Sequence, residues 1–161
     1  MARPADQAAA CSKPARATLH AVSPQLTATM QLRIARPVSQ LAQSEQMLRE
    51  GLGFAVLSRF EQHEGFSGVM LGDPALPWHL ELTVCHTHPV RPQPTAEDLL
   101  VLYLDCAADF ETRCARMLAA SFVPTVTLNP WWHRHGRSFA DADGYQFVLC
   151  PQPWMPGRPA T

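Results

Sequence analysis

The chain has 161 residues, 47% of them hydrophobic and 17% charged, which suits one globular core and excludes a charge-rich disordered chain. Thirteen basic residues against fourteen acidic ones leave a net charge of −1, so there is no electrostatic ground for binding nucleic acid or an acidic membrane surface. Twelve of the basic residues are Arg, and no apolar run approaches the roughly 20 residues a membrane helix needs.

Residues 1–29 are rich in Ala and Pro, carry one acid, Asp6, and show no amphipathic period. They read as a disordered extension ahead of Met30; a weak likeness to a transit peptide is the other reading. Residues 31–37 read as a strand. A helix follows, with Ser39 as N-cap, Leu41, Met47 and Leu48 on one face and Gly51 as its stop. Strands are expected over 54–60 and 66–71. A hairpin at Gly72-Asp73-Pro74 then leads into a strand over 78–84, where His79, Glu81 and Thr83 alternate with Leu80 and Leu82. After a Pro-rich crossing the order repeats. There is a strand over 99–104 and a helix marked by Phe110, Cys114, Met117 and Leu118. Strands follow over 122–128, 137–140 and 145–150. Residues 152–161 hold three prolines and read as a tail.

Regular offsets tie the two halves together. Phe54 and Phe122, Gly68 and Gly136, and Asp73 and Asp141 are each 68 residues apart; Glu81 and Val148 are 67 apart, and Arg33 and Leu99 66. The pattern predicts two copies of one βαβββ unit, at 31–84 and 99–150.

Three strings in this frame carry a family resemblance: Gly51-Leu52-Gly53-Phe54, His79-Leu80-Glu81-Leu82 and Phe139-Ala140-Asp141-Ala142-Asp143-Gly144-Tyr145. Over residues 30–151 the chain resembles the vicinal oxygen chelate superfamily of glyoxalases, bleomycin-resistance proteins and extradiol dioxygenases. Ala142 stands where that family's turn has a proline. The resemblance implies an α+β fold in which two βαβββ modules form a split barrel around a pocket. It also implies pairing into a homodimer. Metal ligands in that family come from the first and fourth strands of each unit. Those positions fall here on Arg33, Glu81, Leu99 and Val148, and only Glu81 has a suitable donor. The usual metal site is therefore expected to be absent, with no cofactor in its place.

Arg33 and Glu81 then have two readings: a mutual ion pair that shapes the pocket, or an Arg33 that grips a ligand carboxylate or phosphate. His79 shares the Glu81 face. If the segment around His133 and His135 is extended, these histidines could join His79 and Glu81 around a relocated zinc or iron ion. His86 and His88, beside Pro89, look like loop residues. Trp131 and Trp132 would be a lid, a dimer contact or a stacking wall for a flat ligand. Tyr103 could put its hydroxyl in the pocket. The five cysteines include no pair spaced for zinc and fit thiols in a reducing compartment; Cys114 and Cys150 read as core, and Cys85 and Cys106 sit near strand ends, where no charged neighbour argues for a reactive thiolate. No hydrolase elbow, phosphate loop or dinucleotide fingerprint is present.

The function expected is a cytoplasmic, metal-free protein that binds a small anionic or aromatic ligand through Arg33, His79, Glu81, Tyr103, Trp131 and Trp132. It is expected to have no nucleic-acid or membrane partner and to sequester rather than transform the ligand. The alternatives are a metal-dependent glyoxalase- or dioxygenase-type enzyme with its ion at His79/Glu81, and a structural dimer whose pocket its own side chains fill.

Overall fold

The computed structural model describes residues 30–157, and the expected extension over 1–29 lies outside them. β1 (Leu32–Pro37), α1 (Leu41–Leu52), β2 (Ala55–His63), β3 (Phe66–Gly72) and β4 (Trp78–Cys85) form the first module. β5 (Leu99–Tyr103), α2 (Ala107–Ala119), β6 (Val123–Thr125), α3 (Trp131–His135), β7 (Arg137–Ala140) and β8 (Gln146–Cys150) form the second. Each module is a four-stranded mixed sheet, ordered β1-β4-β3-β2 in one and β5-β8-β7-β6 in the other. The first strand lies parallel to the last and the other neighbours are antiparallel. This is the predicted βαβββ repeat, and register confirms it. Arg33 pairs with His79 and Ala35 with Glu81; at the equivalent positions Leu99 pairs with Gln146 and Val101 with Val148.

Alternation along the strands sorts residues onto two faces. Leu80 and Leu82 of β4, Val69 and Leu71 of β3, and Phe139, Phe147 and Leu149 of the second sheet are buried in one core with Met47, Leu48 and Leu52 of α1 and Phe110, Cys114 and Met117 of α2. The two helices pack on each other, and α2 also closes the end of α1. Arg113 donates to the Leu52 carbonyl at 2.6 Å and Arg116 to that of Glu50 at 2.8 Å, supplying partners that the last turn of α1 lacks.

Several boundaries differ from those read in the sequence. Gln40, not Ser39, is the N-cap of α1; the Ser39 N–H instead donates to Asp143 Oδ2 at 3.0 Å, across the modules. Gly51 does not end the helix. It lies buried within it, where an added Cβ would stand 2.8 Å from the Phe122 ring, and Gly53 (φ 75°) takes the left-handed terminal position. Ser121 (φ 67°) holds the matching place after α2. Leu118 faces solvent, because the stripe of α2 that packs is Phe110, Cys114 and Met117. The expected strand over 122–128 shrinks to three residues, with Val126 and Leu128 exposed. The segment carrying Trp131, Trp132, His133 and His135 is helical rather than extended.

Candidate functional site

The face of the first sheet turned away from the core carries Arg33 on β1, His79, Glu81 and Thr83 on β4, Gly68 and Met70 on β3, and Ser58 and Phe60 on β2. Arg33 lies beside His79 in the register, and its guanidinium spans two acceptors. Nε donates to His79 Nε2 at 3.1 Å, which requires a neutral ring protonated at Nδ1, and a terminal nitrogen lies 3.4 Å from Glu81 Oε2. The Glu81 side chain is 12% exposed and that of Arg33 is 50% exposed, so the anion is sunk into the face while the cation still meets solvent. Sequence reasoning placed these three residues together, and the structure joins them in one contact network.

The other expected site residues lie on the second module. Tyr103 ends β5, half exposed, and burial pushes its phenol pKa up, so it stays protonated. Trp131 and Trp132 open α3, which packs against β7 and β8. Trp131 stacks on His135 at 3.7 Å, while His135 Nδ1 and His133 Nε2 are bonded to the carbonyls of Trp131 and Thr127. Residues two apart on a helix do not share a face, so the His133/His135 pair expected from an extended segment does not form. His86 is bonded to Ser67. On β4, beyond Glu81, the Cys85 thiol sits against Thr87 and the His88 N–H, and these hydrogen bonds lower its pKa without any charged neighbour.

The strands of the second sheet carry no charged side chain on the matching face. Val148, the counterpart of Glu81, is fully buried; Cys150 beside it donates to the His135 carbonyl at 3.1 Å. Ser138 Oγ and Gln146 Oε1 are buried on that face without a partner among the described residues.

The modules meet at a polar joint that no motif revealed in advance. The Asp141 carboxylate accepts the N–H groups of Asp143 and Tyr145, both at 2.9 Å, and so shapes the turn that ends at Gly144 (φ 87°). Tyr145 donates its hydroxyl to the Pro37 carbonyl at 3.0 Å, and the Arg36 guanidinium lies 4.6 Å from its ring centre. Burial pushes the Asp141 pKa up to about 6, against those two N–H donors and Arg36. It also pulls the Arg36 pKa down, opposed by Tyr145, Asp141 and Asp98.

The paired modules, their parallel first-to-fourth strands and the position of Arg33 and Glu81 opposite the core define a vicinal oxygen chelate fold of the glyoxalase and bleomycin-resistance type. The chain belongs to the YycE-like family: a YycE-like N-terminal domain matches residues 32–83 and a YycE-like C-terminal domain residues 97–151. The uncharacterized protein YycE of Bacillus subtilis (strain 168) is 31% identical over 128 residues, which cover 80% of this chain and 92% of that one. A crystal structure of a YycE protein of unknown function from Bacillus subtilis matches with a TM-score of 0.73 at 31% identity, over 80% of this chain and 93% of that one. Glyoxalase I of Leishmania major shares the fold at 20% identity (TM-score 0.60, 76% of this chain and 86% of that one). So does TnmS3, an antibiotic binding protein from Streptomyces sp. CB03234, at 24% identity (TM-score 0.55, 81% of this chain and 100% of that one).

The metal implied by this fold would need donors at the four strand positions. Of the four positions, Leu99 and Val148 offer hydrocarbon and Arg33 a permanent cation. The two remaining donors on that face, His79 and Glu81, already contact the Arg33 guanidinium. Among the described residues no three His, Cys, Asp or Glu side chains group together. This donor set does not fit a divalent ion. No helix among the described residues is long and apolar enough to cross a membrane.

Proposed function

We propose that this chain is a small-molecule-binding protein which holds an anionic ligand on the open face of its first sheet without a metal ion. One observation carries the reading: Arg33 is anchored from below by His79 and Glu81 while its side chain remains half exposed. A guanidinium needed only to neutralise Glu81 would make no use of that outward surface, whereas a ligand carboxylate or phosphate can take its remaining N–H groups in a fork. Binding without turnover suits a face that presents no nucleophile paired with a base, and TnmS3, an antibiotic binding protein, shares the fold. The sheets end in edge strands, β1 and β2 in one and β5 and β6 in the other, and a second copy of the chain is the partner that would pair with such an edge. The cytoplasm is the compartment that suits a reduced Cys85.

The test is a thermal-shift screen of carboxylates, phosphates and phosphonates on the wild type and Arg33→Gln, with metal analysis of the purified protein. A binder at 100 times its dissociation constant adds about 2.7 kcal/mol. The expected result is a shift with anions in the wild type that the variant lacks. Identical shifts in both proteins would refute the role of Arg33. Stoichiometric zinc or iron that disappears in His79→Ala would replace this reading with the metal-dependent enzyme.

A further inference from the structure

We propose that Phe60 sets the ligand specificity of this face, its ring serving as the platform for a flat aromatic body whose anionic group Arg33 holds. The proposal rests on the ligand-binding reading above and adds the chemical class of the ligand.

The argument starts from the register. Phe60 on β2 pairs with Gly68 on β3, which pairs with Thr83 on β4; Arg33 pairs with His79 four residues earlier on the same strand. All lie on the face opposite the core, so the Phe60 ring is not there to fill it. The ring lies over β3, and a Cβ at Gly68 would stand 2.6 Å from Phe60 Cζ and 2.8 Å from the Leu82 carbonyl oxygen. Only glycine leaves room for the ring in this position. His63 meets the ring edge-on at 6.5 Å and steadies it. Gly72 keeps β3 equally low between Leu57 and His79, whose side-chain atoms lie 3.4 and 3.3 Å from its missing Cβ.

The face is thus divided. Its β2–β3 side presents Phe60, Met70 and Leu57, and its β1–β4 side presents Arg33, His79 and Glu81. The guanidinium reaches Glu81 on β4 and the Phe60 ring reaches over Gly68 on β3; Gly68 pairs with Thr83, two residues or about 7 Å along β4 from Glu81, and neighbouring strands lie about 4.8 Å apart, so the two groups are roughly 8–9 Å apart. A flat aromatic anion about that long can lay its ring on Phe60 and its charge on Arg33. A compact aliphatic anion reaches Arg33 only.

Anilinonaphthalenesulfonate, a fluorescent aromatic anion, and hexanesulfonate, an aliphatic one, are the probes. They are titrated directly and by displacement on the wild type, Phe60→Leu, Phe60→Trp and Arg33→Gln, each checked for an unchanged melting profile. Leucine keeps apolar volume and removes the aromatic face. Phe60→Leu is expected to weaken the aromatic probe roughly 3- to 10-fold and leave hexanesulfonate within about twofold. Phe60→Trp should retain the aromatic preference, and Arg33→Gln should weaken both probes. If Arg33→Gln weakens the probes but Phe60→Leu changes neither, or changes both equally, the Phe60 proposal fails and the binding reading survives. If neither substitution matters, or the wild type binds neither probe, both fall.

Discussion

Replacing Asp141 by Asn tests the polar joint between the modules. The carboxyl pKa is pushed up to about 6, first by burial and then by Asp143, against the N–H groups of Tyr145 and Asp143 and the charge of Arg36. In the unfolded chain it lies near the ordinary value of about 3.9. The native state therefore holds the proton more tightly. The stability this adds is present in full below about pH 4 and is lost as pH rises through about 6. Two pKa units at 1.36 kcal/mol each give an upper size of about 3 kcal/mol. Asn keeps the Oδ1 acceptor for both N–H groups and carries no charge at any pH. Asp141→Asn should therefore be more stable than the wild type at pH 8, by at most about 3 kcal/mol, with the gap closing by about pH 4. Urea unfolding at pH 4, 5, 6, 7 and 8 measures it. A difference that does not change with pH, or a variant that loses ground as pH rises, would refute the reasoning, because the native site would then favour the ion.

Arg33→Leu removes a cation whose side chain is half exposed, so it should cost about 1 kcal/mol rather than the roughly 3–5 of a fully buried pair; Arg33→Leu with Glu81→Leu should recover that in urea unfolding without restoring anion binding. Gly51→Ala raises helix propensity yet should still destabilise by about 1–3 kcal/mol, since its Cβ would meet the Phe122 ring and the Met117 sulfur at 3.0 Å; a neutral or stabilising result would mean that the contact between the helices yields easily. Tyr145→Phe strips the Pro37 carbonyl of its donor and should lower stability by about 1 kcal/mol in the same assay.

The repeat was legible because alternation and offset are properties of the chain itself. Arg33, His79 and Glu81 came together on paper because strands one pairing apart bring residues of like parity onto one face. β1–β4 and β5–β8 obey the offsets of 66 and 67 seen in the residues. Where local signals competed, the sequence was ambiguous. Gly51 and Gly53 both look like helix stops, and only the Phe122 ring packed against Gly51 decides between them. His133 and His135 suit a strand or a helix; the Trp131–His135 stack and the packing of α3 on the second sheet settled the matter. Phe60 could have been found from its alternation with Arg59, yet parity alone does not say that Gly68 lies beneath it. The Asp141–Arg36 joint joins residues more than a hundred positions apart. The chain alone determined two modules and one charged strand face, because neighbours along a strand dictate its alternation. Tertiary structure alone decided that Arg33 on the first face stays half exposed while Val148 on the second is fully buried, and which carboxyl loses its water, because burial depends on what the rest of the chain places above each residue.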